Sequence, residues 1–142
     1  MKITVETRVK APVEEVWRAW TTPVDIKQWN AASDDWHTTA ATVDLRVGGA
    51  FSSRMEARDG SMGFDFAGTY KRIVPRELLE ISFGDRGAVI EFIPEDGAVL
   101  VRETFDAEET HSIEQQRQGW QAILDRFARH VEKQAGASQG RS

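Results

Sequence analysis

The chain has 142 residues, 40% of them hydrophobic and 29% charged, with a formal net charge of −5 and no cysteine. That length is enough for one domain with its own core, and the acidic balance excludes the basic footprint of a nucleic-acid binder. Without cysteine there are no disulfides, thiolates or cysteine-ligated zinc, and no run of about 18 apolar residues offers a membrane span.

The opening stretch MKITVETRVK has no apolar centre of the kind a secretory leader needs, which points to a cytoplasmic protein. Instead it alternates. Ile3, Val5, Thr7 and Val9 fall on one side, and Lys2, Thr4, Glu6, Arg8 and Lys10 on the other, so residues 2–10 read as a strand with one wet face. Pro12 then opens a short helix over 12–20, with Val13, Val16, Trp17 and Trp20 at helical spacing. Thr22 and Pro23 start a second short helix that ends near Trp29. Residues 30–40, NAASDDWHTTA, show no period and read as a loop holding Trp36 and His37.

Five strand-like runs follow, over 42–47, 51–57, 64–74, 78–83 and 88–93, separated by turn residues such as Asp59-Gly60. A last strand over 99–105 leads through the acidic DAEETH into the final helix. The connections are too short for parallel crossovers, so the sheet is antiparallel. Period-2 phasing turns Phe51, Ser53 and Met55 inward. The same face holds Phe66, Gly68 and Tyr70; Leu79, Ile81 and Phe83; Ala88, Ile90 and Phe92; and Val101, Glu103 and Phe105. In the run 42–47, Val43, Leu45 and Val47 form the natural inward set.

The segment 112–133, SIEQQRQGWQAILDRFARHVEK, is the one long amphipathic helix. Its stripe is Ile113, Gln116, Trp120, Ile123, Leu124, Phe127 and Val131. Ser112 followed by Gln115 is a capping-box start. At 1.5 Å per residue the rod is roughly 33 Å long and must pack on something to persist in water. The stripe turns polar at Gln116, with Arg117 on its flank, as expected where one end fills a core and the other borders a cavity. Gly119 beside Trp120 predicts a close backbone approach. Residues 135–142, AGASQGRS, read as a disordered polar tail, leaving 1–134 as a single domain.

The fold class is therefore α+β: a seven-stranded antiparallel sheet covered by a long C-terminal helix, with two short helices after strand one. Glu103 is the anomaly on the inward face. A lone buried carboxylate needs a partner or a raised pKa, and Arg117 or Gln116 is the geometric candidate. Two roles stay open: a strand-to-helix tie, or a polar handle in a ligand pocket.

Several segments together resemble a known superfamily. They are APVEEVWRAWTTP, the loop around ASDDWH, DLRVGG, RMEARDGSMGFDF followed by GTY, ETFD, and EQQRQGW followed by AILDRF. The chain is similar to START-like (SRPBCC) proteins, in the bacterial branch related to the C-terminal domain of the activator of the heat-shock-ninety chaperone's ATPase. The resemblance runs from about residue 2 to 133. It implies a helix-grip fold with a cavity between sheet and helix, in a superfamily that spans lipid carriers, hormone receptors and polyketide cyclases. No segment of these 142 residues resembles the co-chaperone's N-terminal domain, which carries much of its chaperone binding.

His37, His111 and His130 are too far apart in sequence for a metal motif, and no phosphate-cradling glycine loop or nucleophile elbow is present, so neither metal nor cofactor is expected. The expected site is the aromatic-lined cavity. Its candidate walls are Trp29, Trp36, Phe51, Met55, Phe66, Tyr70, Phe83, Ile90, Phe92, Trp120 and Leu124, with His37, Glu103 and Gln116 as polar contacts. The expected partner is an apolar or amphipathic small molecule, held by a monomer or weak dimer. The alternatives are a chaperone-associated interaction module and a cofactorless cyclase-like or hydrolase-like enzyme using Glu103, His37 or Tyr70 as acid or base.

Overall fold

A computed structural model describes the backbone of residues 1–139 and the side chains of residues 1–136. The element order is β1 (Lys2–Val9), α1 (Val13–Thr21), α2 (Pro23–Trp29), β2 (Trp36–Val43), β3 (Ala50–Ala57), β4 (Gly63–Val74), β5 (Leu78–Phe83), β6 (Arg86–Glu95), β7 (Ala98–Asp106) and α3 (Ile113–Gln139). The seven strands form one antiparallel sheet in the order β1-β7-β6-β5-β4-β3-β2. Consecutive hairpins lay down β2 to β7, and the first strand of the chain then pairs with the last.

The sheet curls, and its sequence provides the means. Pairing slips between Thr38 and Ala40 in β2 and between Tyr70 and Arg72 in β4, and such irregularities bend strands and increase their twist. Gly68 sits between the two: a Cβ there would lie 2.0 Å from the Ser82 carbonyl oxygen, so the strands can approach only over a glycine.

The concave face and α3 enclose the core. Along α3, Leu124, Phe127, Ala128, Val131 and Ala135 are buried at helical spacing. They meet Ile3, Val5, Leu79, Ile90, Phe92, Val101 and Phe105 from the strands. The short helices add an aromatic knot, with Trp20, Trp29 and Phe127 at ring-centroid distances of 4.8 to 4.9 Å from one another. The buried Trp29 indole N–H is satisfied by the Ala19 carbonyl at 3.0 Å. Asp25 of α2, 3% exposed, accepts hydrogen bonds from Nε2 of His130 and Nε2 of Gln134, both at 2.9 Å, and from Arg18 at 3.4 Å. This knot pins α2 to α3.

The capping box at the start of α3 is present in both directions: the Gln115 amide N–H donates to Ser112 Oγ and the Ser112 amide N–H to Gln115 Oε1, each at 3.1 Å. Four expectations are corrected. Residues 36–40 are strand, not loop, because β2 is an edge strand that pairs its backbone with β3 while carrying polar side chains outward. Leu45 and Val47 do not face inward. The strand ends at Val43, and both lie in the turn that follows, 39% and 67% exposed. A Cβ added at Gly119 would meet nothing within 4 Å, so no close backbone approach occurs there. Finally, α3 continues past residue 133 to Gln139, because Ala135 extends the buried stripe one turn beyond Val131. The rest of the expected tail, residues 140–142, lies outside the described residues.

Candidate functional site

Between the concave face and the first half of α3 lies a cavity of about 210 Å³. The strands supply most of its wall: Phe51, Ser53 and Met55 from β3, Phe64, Phe66 and Tyr70 from β4, and Ile81, Ile90 and Glu103 from β5, β6 and β7. Trp120 and Ile123 of α3 close it on one side, and Trp20, Ile26, Trp29 and Asn30 on the other. Thr42 and Val43 of β2 complete the lining. Phe64 is 49% exposed while also facing the hollow, which marks the rim at the β3–β4 hairpin.

Of the residues expected to form the site, Trp29, Phe51, Met55, Phe66, Tyr70, Ile90, Glu103 and Trp120 converge on the cavity. Six do not. Trp36 packs beside Phe64, 5.8 Å between ring centroids, outside the lining. His37 registers with Glu56, one position out of phase with the inward Met55 and Thr38 pair, so it faces the opposite side of the sheet. Phe83 backs the wall, 5.1 Å from Phe66 and 6.1 Å from Trp120. Phe92 packs edge-on against Trp17 and Trp20 in the core, where Leu124 is also fully buried. Gln116 turns back on its own helix entrance. Its Oε1 accepts from the Glu108 amide at 2.8 Å, and its Nε2 donates to the carbonyls of Glu108 and His111 at 3.0 Å.

Ser53 and Ile81 carry a signal in the sequence, since they share the phase of Met55 and Phe83. Trp20 and Ile26 carry a weaker one, because short helices do not reveal which way their apolar residues lean. Phe64 shares the phase of Phe66 and stands at the exposed start of its strand, while the rim residues Asn30 and Thr42 carry no period that separates lining from surface.

Glu103 is 7% exposed and has neither of its expected partners. Gln116 is engaged as above, and Arg117 donates to the Thr4 carbonyl at 3.3 Å and lies 3.7 Å from Glu114. Among the described residues no hydrogen bond or charge offsets the burial of Glu103, which pushes its carboxyl up to about 8, so the group is largely protonated at neutral pH. Tyr70 is likewise pushed up to about 12 by burial alone. The site is thus a ring-lined hollow with four hydroxyl-bearing groups, Glu103, Tyr70, Ser53 and Thr42. Among the described residues, no group of three or more metal-ligating side chains occurs.

A curled seven-stranded antiparallel sheet gripping a C-terminal helix, with two short helices after the first strand, defines a START-like (SRPBCC) helix-grip domain. Within that class, the chain belongs to the family described as Activator of Hsp90 ATPase homolog 1-like protein, matched over residues 10–132. It is similar to the AHSA1-like protein of Aeromonas hydrophila, whose solution structure superposes with a TM-score of 0.88 at 49% identity over 94% of this chain and 93% of that one. A Cytophaga hutchinsonii protein superposes with a TM-score of 0.81 at 44% identity, over 94% and 93% of the two chains. One from Chromobacterium violaceum does so with a TM-score of 0.84 at 26% identity, over 93% and 98%. A comparison with curated proteins finds no match.

Proposed function

We propose that the protein binds a small apolar or amphipathic molecule in the cavity between the curled sheet and α3. The observation that carries this reading is the 210 Å³ hollow walled by the rings of Trp20, Trp29, Phe51, Phe66, Tyr70 and Trp120, with few polar groups among them. Close-packed interiors hold few voids larger than a water molecule. This hollow, open at its rim, has room for several waters. The half-exposed Phe64 at the rim supports an entry path. The test is calorimetric titration with naphthalene, followed also by tryptophan emission because three of the wall residues are tryptophans. Saturable one-site binding is expected, lost in a cavity-filling Ser53→Phe variant whose melting matches the parent. Absence of saturable binding up to the solubility of naphthalene rules the reading out.

The family's description supports a second reading, an interaction module for an Hsp90-class chaperone. Stimulation of such a chaperone's ATP hydrolysis by the purified protein is its test, and an unchanged rate rejects it.

A further inference from the structure

Among the described residues, Glu103 is the one carboxyl group on the cavity wall, and no lysine, arginine or histidine lines the hollow to pair with it. Val5 and Ile90 stand directly across from it on the adjacent strands, and Val101 and Phe105 flank it on the same face of β7. The basic groups nearby are engaged elsewhere. On β7 itself Arg102 faces the other side of the sheet and pairs with Glu6 at 3.0 Å. On α3, Arg117 turns to Thr4 and Glu114, Arg126 to Asp34 and His130 to Asp25. The other titratable wall group, Tyr70, stays neutral.

A ligand filling this hollow must complete what the protein leaves open at Glu103. A cationic amine would require the acid to release its proton and both ions to lose their water among rings, a desolvation that the attraction seldom recovers. A neutral acceptor requires no charge in the cavity, and takes the hydrogen bond that the acid form already offers. The size of the hollow narrows the choice further. An apolar cavity of about 150 Å³ holds benzene, and drug-sized sites begin near 300 Å³; 210 Å³ lies between.

We propose that the cavity selects a neutral one- or two-ring molecule bearing a carbonyl or ether oxygen, to which the carboxyl hydrogen of Glu103 donates. This rests on the reading of the cavity as a ligand site and specifies its polar end. Affinity is then linked to protons. The carboxylate has no hydrogen to give and repels the ligand's lone pairs, so binding weakens as pH rises through the titration of Glu103, near 8 in the empty cavity.

The experiment compares naphthalene, 2-acetylnaphthalene and 1-(2-naphthyl)ethylamine by calorimetry at pH 6.5 and pH 9. The ketone is expected to bind about tenfold tighter than naphthalene at pH 6.5, the size of one net hydrogen bond. That advantage should vanish at pH 9. Glu103→Gln, whose amide also donates, should hold the ketone advantage at both pH values, and Glu103→Leu should bring the ratio to unity. An amine that binds tightest, or a ketone advantage in the parent protein that is the same at pH 9, overturns the proposal. Equal binding of all three probes overturns it too, while leaving the ligand-site reading standing; binding of none removes the ligand-site reading itself, and this inference with it.

Discussion

The indole of Trp120 lies flat against the ring of Phe105, with centroids 3.8 Å apart and planes 8° from parallel. This stack joins α3 to β7 two residues from Glu103, and Phe83 and Phe66 meet the same indole at 6.1 and 6.3 Å. One side chain therefore closes the cavity and ties the helix to the sheet. Trp120→Ala is expected to cost about 3 kcal/mol, the loss of a large ring together with its stacking. Urea unfolding checks it: the midpoint should fall with the slope unchanged.

Burial of Glu103 makes stability depend on pH in the opposite sense to a salt-bridged carboxylate. Its carboxyl is pushed from the ordinary 4.5 to about 8 in the folded chain. Below pH 4.5 both folded and unfolded chains hold the proton, and the group leaves stability unchanged. Between 4.5 and 8 the unfolded chain releases a proton that the folded chain keeps, so stability falls as pH rises, by up to about 1.4 kcal/mol per unit. Above 8 the fall levels off. Asp34, Glu95 and Asp106, held down by Arg126, Arg8 and Lys2 respectively, act at more acidic pH and stay out of this window. Urea midpoints from pH 5 to 9 should show the decline in the parent and a flatter profile in Glu103→Gln. Identical profiles would contradict the buried, unpartnered acid.

Asp25 accepts three side-chain hydrogen bonds in a place water hardly reaches. Asp25→Ala leaves the His130 and Gln134 donors without their acceptor and is expected to destabilise by about 2–3 kcal/mol. The exposed Arg46–Asp44 pair, 2.9 Å apart, makes the contrast. Arg46→Ala should change stability by about 0.5 kcal/mol or less. Thermal melts of the two variants side by side measure the difference.

Gln116 serves the loop before α3 rather than the cavity. Gln116→Ala removes bonds to both the N–H and the C=O of Glu108 and should cost about 1–2 kcal/mol. Naphthalene affinity should be unchanged when measured well below the melting transition, and a loss there would return Gln116 to the cavity.

Gly119 lies inside α3 with open space where a side chain would be. Gly119→Ala should therefore raise stability by about 1 kcal/mol through helix propensity. A drop in melting temperature would reveal a contact that the geometry does not contain.

The sheet is legible in the sequence because most of its strands alternate cleanly. The phase of Met55, Tyr70, Phe83, Ile90 and Glu103 follows from period 2, and a hairpin allows no slip of one residue without exposing the whole set. The site is half legible for the same reason: phase shows which residues face inward, and depth along the cleft decides which of those touch the hollow. Phe92 and Leu124 share the inward phase and lie in solid core; Phe66 and Trp120 share it and face the void. His37 escapes such a reading because β2 is an edge strand, rich in polar residues, with an irregularity at Thr38 to Ala40 that no alternation announces. Gln116 escapes it because helical phase says only that the residue is buried, and a helix entrance with unsatisfied backbone groups attracts a side-chain amide as readily as a cavity does.

The pairing of β1 with β7 has a kinetic corollary. Lys2 meets Asp106 across 104 positions of sequence, and α3 settles on that same margin through Arg117 to Thr4 and Gln121 to Glu6. During synthesis β1 must wait, unpaired, until β7 has emerged. Such distant closure slows folding, whereas the hairpins from β2 to β7 pair neighbour to neighbour and close over short loops.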